Sequence, residues 1–274
     1  MDNMDLGLAI VKNTIGSIEK EPRFDTELAD EAIHGMIVKL LKKAENNWFF
    51  VETSYGYNGY MHESDLYIDS EKAIKWDEQS NNIISHGIVD VMKKPKFQSY
   101  PIMLLTRGAI VKTTGGINDQ WIEIMLPDER KGWVRKDFVK ERIRLGTNTD
   151  EDTLRNNVVK TALSYLGTQY RWGGKTTLGI DCSGLCSISY LLNGIVIYRD
   201  AHIKEEYHMR AISREEMKPG DLMYWTGHVA MYIGNDKYVH STGKSSGVVV
   251  NSLNPKDADF REDLVNIKQI GTVF

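Results

Sequence analysis

The stretch Asp181-Cys182-Ser183-Gly184-Leu185 opens an apolar run that continues to Leu192 without a proline, and it predicts a buried helix. Asp181 is a candidate N-cap of this helix. A thiol in the first turn lies at the positive end of the helix dipole, near unpaired backbone N–H groups, and both effects favour the thiolate. Cys182 is therefore a candidate nucleophile; the alternative is a small core residue.

Two histidines in the second half could serve such a nucleophile, which needs a base that takes its proton and later returns it to a leaving amine. His228 follows Gly227 and begins an apolar strand at 228–233, and His240 lies twelve residues later. The turn sequence Gly234-Asn235-Asp236-Lys237 predicts a hairpin in which the two histidines pair directly across the strands. We expect His228 to be the general base and His240 to orient its ring.

The elements around these residues predict an α+β domain. Residues 153–166 have the apolar spacing of a helix that Gly167 closes. The polar, turn-rich segment 142–152 precedes this helix, and we place a domain boundary there. After the cysteine helix come short strands, predicted at 221–225, 228–233, 237–240 and 248–251.

The first half of the chain contains an internal repeat with a constant offset of 73 residues, in which Trp48 corresponds to Trp121. Each copy predicts short strands rich in Val, Ile, Phe and Tyr, and we expect two small, closed β-units. A role as simple spacers is the alternative to a binding role. The predicted strands are 37–41 and 48–52 in the first copy and 110–112 and 121–125 in the second.

The composition is that of an ordinary globular protein of two or three domains: of 274 residues, 41% are hydrophobic and 26% charged, and the net charge is −4. No region is basic enough to indicate nucleic-acid binding, and no apolar stretch is long enough to cross a membrane. We therefore expect neither nucleic acid nor a membrane as a partner. Residues 1–20 lack the pattern of a secretory leader, which predicts a cytoplasmic location and leaves secretion by another route open.

The cysteines and histidines form no familiar metal-site pattern, so we expect no metal ion and no cofactor. Cys186 lies one helical turn beyond Cys182 and is interpreted as core packing. His202 and His208 are six residues apart, so one helical face would not present both, and we interpret them as solvated.

Five motifs follow one another in the second half of the chain. They are Tyr170-Arg171-Trp172-Gly173-Gly174, Asp181-Cys182-Ser183-Gly184-Leu185, Pro219-Gly220-Asp221-Leu222, Gly227-His228-Val229-Ala230-Met231-Tyr232-Ile233-Gly234 and Tyr238-Val239-His240-Ser241. Together they resemble the NlpC-type cell-wall cysteine peptidases, and the repeat in the first half resembles bacterial SH3-like domains. The resemblance implies three domains: SH3-like domains at 1–75 and 76–145 and a peptidase domain at 146–274.

This resemblance implies a papain-like α+β catalytic domain preceded by two small all-β SH3-like barrels. Members of the family cut the γ-D-glutamyl bond to a diamino acid in peptidoglycan peptides, which implies that Cys182 is the nucleophile, His228 the general base and His240 its orienting residue. Tyr170 would add a hydroxyl donor near the nucleophile, or else be a packed aromatic. The other residues of this domain expected at the substrate are Trp172, Asp181, Ser183, Trp225 and Gly227.

Two SH3-like units before such a domain resemble the subgroup that removes L-Ala-γ-D-Glu from the free amino end of recycled wall peptides. In that subgroup the first unit closes one end of the cleft, and acidic groups with a tyrosine bind the peptide's ammonium. Asp200 is our first candidate for this contact. Glu27 and Tyr57 are candidates from the first repeat, and Glu27 competes there with Asp30 and Glu31.

Other functions stay open at this point. One is a secreted endopeptidase that cuts intact wall and is anchored by its SH3-like units, and another is an inactive module that binds wall peptides. An amidase or acyltransferase on the same plan is a further alternative, because the three catalytic groups activate any acyl group. The preferred diamino acid and the oligomeric state are not indicated by the sequence.

Overall fold

A computed structural model describes residues 6–144, 146 and 150–274. The chain divides into two compact units, residues 1–142 and 143–274. This division falls at the beginning of the segment in which we placed the domain boundary. Residues 145 and 147–149 of that segment lie outside the described residues.

The first unit contains the two repeat copies, and each is a seven-stranded antiparallel sheet. The first sheet has the hydrogen-bonded order β3-β2-β6-β5-β4-β1-β7. Its strands are β1 (Leu8–Val11), β2 (Ile15–Glu19), β3 (Leu28–Ile33), β4 (Ile37–Lys43), β5 (Trp48–Thr53), β6 (Asn58–His62) and β7 (Leu66–Ile68).

The second copy repeats this topology strand for strand, in the order β10-β9-β13-β12-β11-β8-β14. The registers also correspond, because Ile10 pairs with Ile37 in one copy and Ile83 with Ile110 in the other. The structure thus confirms the repeat of 73 residues. The strands are β8 (Asn82–Ile84), β9 (Ile88–Met92), β10 (Pro101–Thr106), β11 (Ile110–Asn118), β12 (Trp121–Met125), β13 (Lys131–Arg135) and β14 (Val139–Glu141).

A helix that the sequence analysis did not predict, α1 (Ser70–Gln79), joins the two copies. Asp69 caps its N-terminus by accepting a hydrogen bond from the backbone N–H of Lys72 at 3.0 Å. The helix buries only Ala73 and Trp76, which is too few apolar residues to give a periodic signal. The expected domain limit after residue 75 falls inside this helix.

The second unit contains two helices, a short hairpin and a six-stranded sheet, which together position the candidate site. α2 (Glu151–Leu163) packs on α3 (Cys182–Leu191), and a short β15 (Lys175–Thr176) and β16 (Gly179–Ile180) hairpin precedes α3. A six-stranded antiparallel sheet follows in the order β17-β22-β18-β19-β20-β21. Its strands are β17 (Arg210–Ile212), β18 (Leu222–Trp225), β19 (His228–Gly234), β20 (Lys237–Thr242), β21 (Gly247–Ser252) and β22 (Gln269–Thr272).

α3 packs against β19 and β20, so the helix that begins with Cys182 faces the strands that carry the two histidines. Every residue from 182 to 190 is buried, as the apolar run predicted. This is the α+β papain-like arrangement expected for the domain. Among the described residues, no helix is long and apolar enough to cross a membrane.

Candidate active site

Cys182 is the first residue of α3, and Asp181 caps this helix as predicted. The Asp181 carboxylate accepts a hydrogen bond from the backbone N–H of Gly184 at 2.6 Å and another from that of Gly173 at 2.8 Å. The cap therefore fixes the position of the thiol and ties the 173–174 turn to the start of the helix.

Arg199 holds this cap in place from a fully buried position. Its guanidinium donates to both carboxylate oxygens of Asp181, at 3.1 and 3.2 Å, and to the hydroxyl of Ser183 at 2.8 Å. A further bond reaches the carbonyl of Gly174 at 3.2 Å. These bonds give Asp181 and Ser183 a role in positioning the nucleophile, and the substrate contact that we expected of both residues stays a prediction. Sequence reasoning did not identify Arg199 as part of the site.

The two histidines are joined directly, since Nε2 of His228 lies 2.7 Å from Nδ1 of His240. The ring centroids are 5.0 Å apart and the planes meet at 75°. His240 is fully buried, whereas His228 keeps part of its surface in contact with solvent. The contact between the two rings is thus the one we predicted, and the roles of base and orienting residue stay a prediction.

The predicted strand register was wrong, although the contact was right. Met231 pairs with Val239, which places His240 opposite Ala230, so His228 is its diagonal neighbour on the same face. Asn235 and Asp236 both have positive φ and form a two-residue loop, later in the chain than the turn centre we assumed.

Asn251 completes the chain of side chains and was not predicted. Its Oδ1 lies 2.9 Å from Nε2 of His240, and its Nδ2 donates to the carbonyl of Asp259 at 2.6 Å. Because an amide oxygen only accepts, Nε2 of neutral His240 carries the proton and its Nδ1 accepts from Nε2–H of His228. Nδ1 of neutral His228 is therefore left unprotonated, as a general base must be. Asn251 lies in a strand that the sequence did predict, but the pattern could not show which strand residue faces His240.

Burial sets the charge state of the two reacting groups. It raises the pKa of the Cys182 thiol to about 11, with a further contribution from the Asp181 carboxylate, against the opposing hydrogen bond of the Val229 N–H. Burial also lowers the pKa of His228 to about 4, with His240 contributing in the same direction. The free site thus holds a neutral thiol beside a neutral imidazole. The backbone N–H groups at the helix terminus do favour the thiolate, as expected, but desolvation outweighs them and the net shift favours the thiol.

Comparison with known proteins identifies the family to which this site belongs. Residues 167–263 match the NlpC/P60 family, and residues 18–66 match the bacterial dipeptidyl-peptidase SH3 domain. Dipeptidyl-peptidase 6 of Lysinibacillus sphaericus is 40% identical over 97% of this chain and 99% of its own length. The chain belongs to the NlpC/P60 family.

Two further relatives agree with this assignment. The γ-D-glutamyl-L-lysine dipeptidyl-peptidase of Bacillus cereus is 28% identical over 73% of this chain and 60% of its own length. The crystal structure of an NlpC/P60 family protein from Bacillus cereus superposes with a TM-score of 0.75 at 20% identity, over 91% of this chain and 95% of that one, and supports the fold. The protein is therefore a cysteine peptidase of the NlpC/P60 family.

Tyr170 is placed to act beside the nucleophile of this peptidase. Its backbone N–H donates to the carbonyl of Ser246 at 2.9 Å, which fixes the segment next to the thiol. Burial raises the pKa of the Tyr170 hydroxyl to about 12, and the nearby Cys182 adds to the shift. The hydroxyl consequently stays protonated and can donate a hydrogen bond, as expected.

The residues expected to line the cleft differ in exposure. The Trp225 ring lies 5.8 Å from the His228 ring, and its Nε1 donates to the carbonyl of Leu264 at 3.1 Å. Trp172 is 60% exposed, so a substrate can reach its ring. Gly227 has a φ of +69° directly before His228, and a methyl group there would contact nothing within 4 Å. Its positive φ turns the chain into β19, and its contact with substrate stays a prediction.

Asp200, our first candidate for binding a substrate ammonium, is only partly buried. It accepts a hydrogen bond from the Tyr198 hydroxyl at 3.0 Å, and the His202 ring packs 4.7 Å from the Tyr198 ring. Burial raises the pKa of Tyr198 to about 12, and the Asp200 carboxylate adds to the shift. Nζ of Lys204 already lies over the Tyr198 ring, 4.0 Å from its centroid, and the binding of a substrate ammonium by Asp200 stays a prediction.

The candidates in the first repeat lie in different settings. Glu27 is exposed and paired with Lys20 at 2.8 Å. The Tyr57 hydroxyl is 3.5 Å from the carbonyl of Ala29. The competing residues Asp30 and Glu31 are buried on β3, and Asp30 accepts a 2.5 Å hydrogen bond from the Tyr55 hydroxyl. Their part in substrate binding stays a prediction.

Cys186 is buried one turn below Cys182, in the core position predicted for it, and burial raises the pKa of its thiol well above the ordinary value. Within the described part of the chain, no group of three or more His, Cys, Asp or Glu residues could hold a metal ion.

Proposed function

We propose that the protein hydrolyses the bond between γ-D-glutamate and a diamino acid in peptidoglycan-derived peptides that carry a free N-terminal L-Ala. The observation that carries this proposal is the chain of hydrogen bonds from Asn251 through His240 to His228, which leaves Nδ1 of His228 unprotonated at the start of the strand that α3 faces. Relatives named as dipeptidyl-peptidases, one of them acting on a γ-D-glutamyl-L-lysine bond, support the choice of bond.

The first half of the reaction forms an acyl-enzyme. Sγ of Cys182 attacks the γ-carbonyl carbon while Nδ1 of His228 takes the thiol proton, so that charge develops only during the attack. His240 continues to accept the Nε2–H bond of the imidazolium that forms. The backbone N–H of Cys182 and the Tyr170 hydroxyl are the donors available for the oxyanion.

The second half restores the enzyme. The tetrahedral intermediate collapses as His228 gives its proton to the leaving amine, which breaks the amide bond and leaves a thioester on Cys182. Nδ1 of His228 then takes a proton from water, which attacks the thioester carbonyl. When that intermediate collapses, the proton returns to the thiolate of Cys182 and the dipeptide acid is released.

A free amino terminus would restrict the enzyme to peptides already released from glycan. An ammonium that loses its water and gains no partner is costly to bury. A carboxylate that is placed to bind this ammonium is likewise costly to bury when the substrate offers none. Asp200 beside Tyr198 is the candidate partner in the peptidase unit. As part of the same proposal, the enzyme acts in the cytoplasm on recycled peptides, which fractionation of cells would test.

The deciding experiment compares hydrolysis of L-Ala-γ-D-Glu-meso-diaminopimelate with its N-acetylated form and with the same peptide on intact muropeptide. We expect kcat/KM to be at least 100-fold higher for the free peptide, and Cys182→Ala to abolish all cleavage while the circular dichroism spectrum is unchanged. Equal rates on the free and glycan-linked peptides would instead identify an enzyme of the intact wall. Unchanged activity of the Cys182→Ala variant would end the proposal of cysteine catalysis.

A further inference from the structure

A cluster of alternating charge, which we call the rim cluster, lies in the peptidase unit and consists of Lys244, Arg261 and Asp263. Nζ of Lys244 lies 2.7 Å from Oδ2 of Asp263. Nε and Nη2 of Arg261 each lie 2.8 Å from a separate oxygen of the same carboxylate. One carboxylate is thus shared by two cations, and the rim cluster has a net charge of +1.

The rim cluster lies next to the general base. Leu264, the residue after Asp263, accepts the bond from Nε1 of Trp225, whose ring is 5.8 Å from His228. On the other side, Lys244 belongs to the short turn that ends at Ser246, where Tyr170 is bound. The Lys244–Asp263 pair therefore bridges two loops beside His228. The charges of Arg261 and Asp263 both act on the pKa of His228, in opposite directions.

The proton that His228 gives to the leaving amine places the leaving group on the side of the site where the rim cluster lies. His228 must deliver its proton to the amine that departs, so the residue beyond the cleaved bond lies on the His228 side of the Cys182 sulfur. Under the proposed function, on which this inference rests, that residue is the diamino acid.

We propose that the rim cluster binds the charged end of the leaving diamino acid and selects diaminopimelate over lysine. The far end of diaminopimelate carries a carboxylate and an ammonium together, and lysine carries the ammonium alone. Lys244 and Arg261 can receive the carboxylate while Asp263 receives the ammonium. The ammonium of lysine would be repelled by the net positive charge of the rim cluster, because lysine has no carboxylate there to offset the repulsion.

The exposure of the cluster suits a binding role better than a role in stability. Lys244 is 65% exposed, and exposed ion pairs contribute little to stability. Arg261 is only 16% exposed and is held in a two-bond geometry by Asp263. The arrangement thus presents one fixed guanidinium and one accessible ammonium to a ligand.

The test compares kcat/KM of the full chain on L-Ala-γ-D-Glu-meso-diaminopimelate and on L-Ala-γ-D-Glu-L-Lys. Lys244→Met is the main variant. Lys218→Met is its matched control, because Lys218 is 63% exposed, contacts one carboxylate, Glu151, at 3.6 Å, and belongs to no part of the site described above.

We expect the wild-type protein to prefer the diaminopimelate peptide, and Lys244→Met to reduce that preference about tenfold, through KM, with the lysine peptide unaffected. Lys218→Met should keep the wild-type ratio. If both peptides are cut and Lys244→Met leaves their ratio unchanged, or if the wild type prefers lysine, the inference is overturned and the proposed function stands. If the wild type cuts neither peptide, the inference and the proposed function are both overturned.

Discussion

Nδ1 of His240 lies 2.7 Å from Nε2 of His228, and this contact decides which nitrogen of His228 can act as a base. Asn251 accepts from the opposite nitrogen of His240 and so fixes the tautomer of the buried ring. The neutral state of the free site follows from burial, which raises the pKa of Cys182 and lowers that of His228. Under the proposed function, His228 therefore takes the thiol proton during the attack on the substrate.

Replacing Asn251 should reduce turnover without removing any reacting group. In Asn251→Ala, Nε2–H of His240 loses its acceptor and the ring is free to adopt the wrong tautomer, so we expect kcat to fall about 10- to 100-fold. Asn254→Ala is the control, since Asn254 lies in the following loop and contacts only its neighbours there. A kcat within twofold of wild type for Asn251→Ala would show that the tautomer needs no such support.

The acid limb of the pH profile of kcat/KM should lie at an unusually low pH. Because burial lowers the pKa of His228 to about 4, its Nδ1 stays unprotonated well below pH 6.5, and activity is lost only as the pH falls towards 4. In Asn251→Asp, a carboxylate would face His240 and raise the pKa of the pair, so the acid limb should move upward. Steady-state rates between pH 4 and 8 measure the acid limb of the wild type and that of the variant. An acid limb above 6.5 in the wild type contradicts the expected desolvation of His228.

The rate of alkylation should show that the thiol of Cys182 is neutral in the free enzyme. With the pKa of Cys182 raised to about 11, the thiolate fraction at pH 7 is small, so the rate of reaction with iodoacetamide should keep rising between pH 7 and 10. Cys186 is buried deeper in α3 and should remain unlabelled in the folded protein, which mass spectrometry of the peptides can check. A rate that reaches its plateau below pH 7 would indicate a preformed thiolate and imidazolium.

Arg199 should act on kcat through the position of Cys182. Arg199→Lys keeps the charge but loses the planar fork that spans Asp181, Ser183 and the Gly174 carbonyl, so the cap and the thiol shift. We expect kcat to fall at least tenfold with KM near the wild-type value, together with a lower Tm. A raised KM at unchanged kcat would show that Arg199 contacts substrate instead.

The candidate catalytic residues could be chosen from the sequence because each lies in a motif with a strong local signal. Cys182 begins an apolar helix behind an N-cap, and His228 and His240 flank a hairpin turn. The residues that support them carry no such signal. Arg199 reaches the start of α3 from the loop that follows this helix, and Asn251 reaches His240 across the pairing of β20 with β21, so tertiary structure rather than a local motif brings them to the site.

The first unit shows the same division between local pattern and tertiary packing. The repeat revealed both sheets, because Trp48 and Trp121 recur at equivalent positions of strands with equivalent register. Helix α1 escaped notice because packing rather than periodicity holds it: Nε1 of Trp76 donates to the carbonyl of Gly35 at 2.9 Å. One buried aromatic in a polar decapeptide predicts no helix on its own.

His34 in the first unit should make that unit sensitive to acid. Its ring is completely buried, Nδ1 lies 3.0 Å from the carbonyl of Lys12, and Nε2 has no hydrogen-bond partner among the described residues. Burial lowers the pKa of His34 to about 4, so below pH 6.5 the unfolded chain binds a proton that the folded one does not. The stability contributed by the neutral ring is complete above pH 6.5 and is lost as the pH falls towards 4.

Over that interval the pKa difference corresponds to about 3 kcal/mol of unfolding free energy for this one side chain. Urea denaturation at pH 7 and pH 4.5, followed by tryptophan fluorescence, measures the loss. His228 and His240 have lowered pKa values too, so the contribution of His34 is isolated by His34→Gln, which cannot gain a proton. This variant should lose less stability between the two pH values than the wild type, whatever its stability at pH 7. An equal loss in both proteins would mean that the ring is protonated in the folded state without cost, against the burial seen in the structure.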